Sequence, residues 1–298
     1  MTALTALRIG TRGSLLALTQ ARALAHAIEG DTEIVEITTA GDVDRARGDK
    51  SRWTGALEAA LLAGDIDVAV HSAKDVPGEL AEGTALVAAL RRADPLDVLV
   101  GEHALATVRV GARVGTSALR RRAQLLAERP DLEIVEIRGN VDTRLRKQRA
   151  GEIDVLVLAA AGLARLGRRA EAGGTLTGAV FVPAAGQGVI AAQARTGSAA
   201  ADVVSAASHA RTMACLRAER AVVRELSASC HAPVGVHAEF VANGLRVRGF
   251  AGLPDGSRWV IDEIVRDGAD EDAGRELARR MALAGATDLL REAEAMVT

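Results

Sequence analysis

The sequence predicts an α/β protein of two similar lobes followed by a small α+β domain, and three observations carry that expectation. The first is an internal repeat. Arg8-Ile9-Gly10-Thr11 returns as Arg113-Val114-Gly115-Thr116, Glu33-Ile34-Val35-Glu36-Ile37 returns unchanged at 133–137, and Gly64-Asp65-Ile66-Asp67-Val68 returns as Gly151-Glu152-Ile153-Asp154-Val155. Three matches in one order imply two copies of a unit in which strands alternate with helices. The second is the form of the strands, clearest over 65–77, where a β-branched apolar half turns abruptly polar and ends at Pro77. That pattern suits a strand buried on both faces, with Lys74 and Asp75 at its carboxyl end. The third is a change of pattern from Arg211 onward. An amphipathic helix over 213–226 is followed by three alternating strands, with turns at Asn243-Gly244 and Pro254-Asp255-Gly256, and by helices over 270–296.

Taken in order, Arg8 to Thr11 ends a strand, and Ser14 stands as the N-cap of a periodic helix over 15–29, stopped by Gly30. A strand follows at 33–39. Residues 40–52 are polar, lack apolar periodicity and form a loop containing Lys50, and a helix over 53–63 delivers the chain to the strand before Lys74. In the second lobe Thr116 or Ser117 caps a helix carrying Arg120 and Arg121, Asn140 caps one carrying Arg144, and 159–166 ends a third strand and brings Arg165. Bends are expected near 91–97 and 182–189, where Pro183 and Gly186-Gln187-Gly188 lie. The domains are therefore 1–92 with 188–207, 95–183, and 211–298.

The composition narrows the function classes. The 298 residues are 49% hydrophobic and 26% charged with a formal net charge of -2, so no global basic field points to nucleic acid. Lysine occurs only at Lys50, Lys74 and Lys147. Two cysteines, Cys215 and Cys230, are too few for a disulfide scaffold and lack metal-ligand spacing, so no metal is expected. Cys215 lies on a helix as a small buried hydrophobe, whereas Cys230 sits in a loop of small residues beside His231. The first seven residues lack a basic region followed by an apolar core, and no apolar run is long enough to span a bilayer. A soluble, reducing-compartment protein without membrane or nucleic-acid partners is expected.

Two lobes with strand-end loops facing one another form a cleft, and ligands of open α/β sheets bind at that edge. Arg12, Arg120, Arg121, Arg138, Arg144 and Arg165 all stand at or just after strand ends. Each alone is a solvated side chain; shared placement in both lobes favours a polycarboxylate, which guanidinium forks bind bidentately. Asp75 is the one carboxylate placed among these cations, able to stabilise a developing positive charge or to shuttle a proton. The Cys230 thiol is either a nucleophile or a covalent anchor.

These motifs resemble the porphobilinogen deaminase (hydroxymethylbilane synthase) family. The resemblance runs from Arg8 to the C-terminal helices through Arg8-Ile9-Gly10-Thr11-Arg12, His71-Ser72-Ala73-Lys74-Asp75-Val76-Pro77, Val114-Gly115-Thr116-Ser117 with Arg120-Arg121, and Arg138-Gly139-Asn140-Val141 with Thr143-Arg144-Leu145. It continues through Pro183-Ala184-Ala185-Gly186-Gln187-Gly188, Ala218-Glu219-Arg220 and Cys230 ahead of Pro233-Val234-Gly235. The resemblance implies two periplasmic-binding-protein-like lobes flanking a cleft plus an α+β C-terminal domain. It implies an enzyme that joins four porphobilinogen molecules head to tail with release of ammonia, on a dipyrromethane cofactor covalently attached through Cys230. It further implies Asp75 as catalytic aspartate, stabilising an azafulvenium-like cation. Lys74, Asp75, Ser117, Arg120, Arg121 and Arg144 would bind the cofactor, and Arg12, Ser14, Arg138 and Arg165 the substrate.

Three departures from the family pattern stand out. Ala228-Ser229 replaces a usual Gly-Gly before the cysteine, Ala118 replaces a common serine, and the 42–53 loop is shorter and lacks a glycine-rich run. The competing reading is a non-catalytic paralogue or solute-binding module for pyrrolic or other polycarboxylic acids. A Cys230-His231 hydrolase is disfavoured, since adjacent residues on one loop seldom point at each other productively.

Overall fold

The computed structural model describes residues 6–39, 51–228, 232–268 and 270–296. These fall into two compact units, Met1–Ala93 with Gly188–Met213, and Asp94–Gln187 with Ala214–Thr298. In chain order the strands are β1 (Leu7–Thr11), β2 (Thr32–Glu36), β3 (Val68–Ser72), β4 (Thr84–Ala89), β5 (Asp97–Val100), β6 (Arg113–Gly115), β7 (Glu133–Val135), β8 (Val155–Ala159), β9 (Ile190–Arg195), β10 (Val234–Val241), β11 (Gly244–Gly252) and β12 (Trp259–Arg266). The α-helices are α1 (Leu15–Ala27), α2 (Ser51–Ala63), α3 (Leu119–Glu128), α4 (Val141–Arg149), α5 (Ala160–Arg165), α6 (Ala199–Ser205), α7 (Ala210–Glu225), α8 (Asp270–Leu283) and α9 (Ala286–Ala295).

The first unit holds a five-stranded sheet in the order β2-β1-β3-β9-β4. Strands β1, β2 and β3 run parallel, and β9 is antiparallel to both β3 and β4. On one face Leu24 and Val204 pack with Ile9, Val68, Val70 and Ala192. On the other, Leu57 and Leu61 of α2 cover Ile66 and Ala69. Burial on both faces is why the strands read as continuous apolar runs.

The second unit contains a four-stranded sheet, β5-β8-β6-β7, with β6 parallel to β7 and β8, and β5 antiparallel to β8. It also contains the antiparallel β10-β11-β12 sheet. The core of that sheet, Val236, Val247 and Ile264, packs on Cys215 and Val222 of α7 and on Leu277 and Met281 of α8. The mixed α/β architecture and the C-terminal antiparallel sheet agree with the sequence. Cys215 is buried there as expected.

The repeat has a physical content. In the first unit the backbone N–H of Arg8 donates to the Asp67 carboxylate at 2.9 Å and the Asp67 N–H donates to the Arg8 carbonyl at 2.9 Å. In the second, the Arg113 N–H donates to the Asp154 carboxylate at 2.7 Å and the Asp154 N–H to the Arg113 carbonyl at 2.9 Å. Glycine recurs for one reason: a Cβ on Gly10 would lie 2.3 Å from Ile66 Cδ1, and one on Gly115 would lie 2.3 Å from Ile153 Cδ1. Each isoleucine fills the space that the missing side chain leaves.

Several boundaries differ from the sequence reading. Helix α1 ends at Ala27 rather than Glu29, because Ile28 turns extended and buries its side chain, leaving Gly30 (φ 110°) inside the turn to β2. Strand β2 ends at Glu36, three residues earlier than expected, and α2 begins at Ser51. The terminal helical stretch breaks at Gly285, whose φ of 94° is open to glycine. The expected loop with Lys50 lies outside the described residues.

Candidate active site

In the first unit the candidate residues gather at the carboxyl edge of two adjacent parallel strands, β1 and β3. Arg12 and Ser14 follow β1, and Ser14 caps α1, its hydroxyl accepting from the Ala17 N–H at 3.3 Å. Lys74 and Asp75 occupy a single 3₁₀ turn, Ala73–Asp75, directly after β3. Strand β3 is buried along its length until Ser72, and the turn is closed by Val76 N–H donating to the Ala73 carbonyl at 3.2 Å. The Ala73 N–H donates to Val189 at 3.0 Å, so β9 anchors the turn, and the Gln20 amide of α1 reaches the Ser72 hydroxyl at 2.8 Å. Asp75 is half-buried and has no hydrogen-bond or ion-pair partner among the described residues. A half-buried carboxylate with unclaimed oxygens on a rigid turn is poised for something other than packing.

In the second unit Ser117 follows β6, Arg138 follows β7 and Arg165 ends the helix after β8, all at the carboxyl edge of that sheet. Asn140 caps α4 as expected, accepting from the Thr143 N–H at 2.9 Å. Arg144 then donates through Nε to the Gly139 carbonyl at 2.8 Å and through Nη2 to the Ser117 hydroxyl at 3.1 Å. Arg138 is exposed and donates to Glu136 at 2.7 Å. Burial lowers Arg165 to about 10. It ends a six-residue helix rather than a strand, a correction to the sequence reading.

Helix α3 is not capped by Thr116 or Ser117. Ala118 holds the N-cap position with no side-chain acceptor, while the Thr116 hydroxyl accepts from the Ala118 N–H at 3.1 Å in a local turn. Arg120 and Arg121, on the first turn of α3, are only 6% exposed and share Asp97, itself 6% exposed. Arg120 Nη2 donates to Asp97 Oδ2 at 2.7 Å and Arg121 Nη2 to Oδ1 at 2.8 Å. Arg120 Nη1 also reaches Gln124 and the Val182 carbonyl, both at 2.9 Å. Gln187 Nε2 adds a third donor to Asp97 at 2.8 Å. Burial pushes the Asp97 carboxyl up, but the charges and hydrogen bonds of the two arginines outweigh it and hold the group well below the usual carboxylate range. Burial lowers Arg120, partly offset by Asp97.

Two guanidiniums on one carboxylate leave a buried surplus of one positive charge, and Arg121 Nε is buried without a hydrogen-bond partner. The Ser117-Arg144 pair adds exposed hydroxyl and guanidinium donors at the same edge, of the kind that the acetate and propionate arms of a dipyrromethane would need. Sequence reasoning missed Asp97, which it took as part of a bend. The available signal was a buried strand opening on aspartate. Cys230 lies outside the described residues.

Comparison with known proteins supplies the family. Two family models match, the "porphobilinogen deaminase, dipyromethane cofactor binding domain" over residues 7–202 and the "porphobilinogen deaminase, C-terminal domain" over 213–283. The chain belongs to the porphobilinogen deaminase family. It is similar to the porphobilinogen deaminase of Moorella thermoacetica, 42% identical over 97% of both chains. It is also similar to that of Xanthomonas oryzae, 43% identical over 96% of this chain and 99% of the relative. Among solved structures it resembles immunogenic lipoprotein A from Vibrio vulnificus, with TM-score 0.42 and 13% identity, covering 70% of this chain and 96% of that one. As a member of the porphobilinogen deaminase family the chain is an enzyme of the hydroxymethylbilane synthase type. It polymerises porphobilinogen in tetrapyrrole biosynthesis and uses a dipyrromethane cofactor.

Proposed function

We propose that Asp75 is the catalytic carboxylate of this synthase, that Cys230 anchors its dipyrromethane, and that Lys74, Ser117, Arg120, Arg121 and Arg144 hold the acid arms of that group. The observation that carries the reading is Asp75 itself, half-buried at the end of a buried strand with no protein partner for its oxygens among the described residues. The Cys230 assignment rests on the match of Cys230 and Pro233-Val234-Gly235 to the family pattern.

When bound, the dipyrromethane supplies the pyrrole carbon to which the first substrate unit is joined. Protonated, Asp75 gives its proton to the substrate amino group, which departs as ammonia; ionised, its oxygens accept from pyrrole N–H and stabilise the positive charge left on the ring. Arg12, Ser14, Arg138 and Arg165 bind the substrate carboxylates. Burial at Arg165 makes that charge pairing stronger than it would be in water.

The same reading takes the chain as a cytoplasmic monomer in three domains, 1–92 with 188–207, 95–183 and 211–298, without nucleic-acid partners. Among the described residues no helix is long and apolar enough to cross a membrane, and no group of three or more His, Cys, Asp or Glu side chains could hold a metal ion. Sedimentation and limited proteolysis test the oligomeric state and the boundaries.

The deciding experiment pairs intact mass with turnover. The purified protein is expected to be heavier than its sequence by one dipyrromethane, an increment absent in Cys230→Ser. Asp75→Asn is expected to keep that mass and its fold while losing at least about 10²-fold in kcat. Near-normal porphobilinogen consumption by a folded Asp75→Asn removes the assignment.

A further inference from the structure

We infer that His71 is a positioning residue for the turn carrying Lys74 and Asp75, its ring locked with a hydrogen on Nε2 by an amide, Gln193, that cannot flip. The inference rests on the reading of Asp75 as the catalytic carboxylate, but its core is a statement about one hydrogen atom that can be checked separately.

Gln193 is fully buried on β9, the strand between β3 and β4. It pairs with Ala69 on β3, while His71 pairs with Ala191, so Gln193 and His71 are diagonal neighbours on one face of the sheet. Thr84 pairs with Arg195 and is the diagonal neighbour on β4. Glu58 comes from α2, which covers this face. The Gln193 side chain therefore meets three elements at once.

Its orientation follows from what each neighbour can give. Gln193 Nε2 lies 2.8 Å from Glu58 Oε1 and 2.8 Å from Thr84 Oγ1. Glu58 Oε1 already accepts from the Ala81 N–H at 3.1 Å, and the Thr84 hydroxyl spends its hydrogen on the Ala81 carbonyl at 2.6 Å. Both neighbours accept, so both amide hydrogens are used. A flipped amide would set its oxygen against two acceptors. Gln193 Oε1 must then face His71 Nε2, at 3.0 Å, and an amide oxygen only accepts. His71 Nε2 thus bears a hydrogen whether the ring is neutral or charged, and Nδ1 is the nitrogen whose protonation can change.

The purpose is geometric. Around these hydrogen bonds α2, β3 and the connection between them offer Leu57, Leu61, Ala69 and Ile66, an apolar setting in which a polar network is stabilising only if every member is satisfied. Apolar side chains could fill the space. What the network adds is a fixed end for β3: His71 and Ser72 close the ladder with Ala191 and Ile190, and the turn holding Asp75 begins at the next residue. A displacement of about 1 Å at a reacting group is worth about 10²-fold in rate.

The test uses the cofactor-loaded protein. In wild type, long-range nitrogen-proton spectra are expected to show His71 with Nε2 protonated across the neutral pH range. Gln193→Met is expected to lose that signature and to lower kcat about tenfold with KM unchanged and the adduct mass intact. Glu58→Gln, whose carbonyl still accepts from Gln193, retains both signature and turnover, whereas Glu58→Leu follows Gln193→Met. A wild-type ring protonated on Nδ1 alone overturns the lock, and this holds even if the variants fail to fold. A folded Gln193→Met with wild-type kcat overturns the positioning role. Full activity in Asp75→Asn is a different result: it ends the reading of Asp75 and leaves the His71 spectrum to stand by itself.

Discussion

Replacing Asp97 with alanine takes one carboxylate away from three donors at once. Arg120 and Arg121 are each 6% exposed, so neither guanidinium can turn to water for compensation. Breaking a buried ion pair by removing one partner destabilises by about 3–5 kcal/mol, and with two cations orphaned the expected loss is about 5 kcal/mol. That is a large share of the roughly 5–15 kcal/mol that holds a domain together. Asp97→Asn keeps the shape and one acceptor oxygen, and is expected to lose about 2–3 kcal/mol. The comparison is Asp288→Ala: that carboxylate also contacts an arginine, Arg291 at 2.9 Å, but the two side chains are 82% and 72% exposed. There the expected change is below about 0.5 kcal/mol. Urea unfolding at pH 7 reads all three, with the slope checked for constancy. The pH dependence has a definite sign. Asp97 is held below its unfolded value, so its stabilisation is fully present above the unfolded carboxylate pKa of about 3.9 and is lost only as pH falls through the depressed folded value. The gap between parent and Asp97→Ala should therefore be constant from pH 7 to 5 and shrink only in strong acid. A loss under about 1 kcal/mol in Asp97→Ala, or an equal loss in Asp288→Ala, refutes the reasoning.

Other outcomes follow from the same geometry. Gly10→Ala is expected to destabilise by about 1–3 kcal/mol through its clash with Ile66 Cδ1, and adding Ile66→Val, which deletes that atom, should recover most of the loss; Gly115→Ala with Ile153→Val should repeat the pattern, and non-rescue in thermal unfolding would count against the packing account. Ala118→Ser supplies the acceptor that α3 lacks and should stabilise by about 1 kcal/mol in the same assay. Arg165→Gln should raise the KM for porphobilinogen about tenfold while circular dichroism is unchanged, because a half-buried guanidinium pairs strongly with a carboxylate.

What could be read from the sequence was what neighbours in the chain or in the repeat determine. The pairings of Arg8 with Asp67 and Arg113 with Asp154 recur because both lobes place the arginine on one strand and the aspartate just before the adjacent one, so the repeat announced itself in the letters. The Asn140 cap needed only a three-residue reach. Arg120 and Arg121 are another matter: whether they face solvent or interior depends on Asp97, 23 and 24 positions away. Gln193 meets Glu58 across 135 positions, and no local pattern encodes that contact. Helix and strand ends drifted where burial of one side chain, such as Ile28, overrode the stop signal beside it. The candidate residues at each carboxyl edge were visible because a parallel strand ends in polar residues only where something other than packing is served.

The five-stranded sheet is assembled from two distant parts of the chain. Strand β4 has β9 as its neighbour on the way to β3, and β9 is made from Ile190–Arg195, after the whole of Asp94–Gln187. On a ribosome moving at about 5–20 residues per second, β4 would wait on the order of ten seconds with an unpaired edge. Until then Val87 and Leu86 have no strand beside them, and the nascent chain is exposed to chaperones and proteases for that interval. Meanwhile β5 to β8, encoded without interruption, can pair before β4 meets β9, so the second sheet can form before the first is complete.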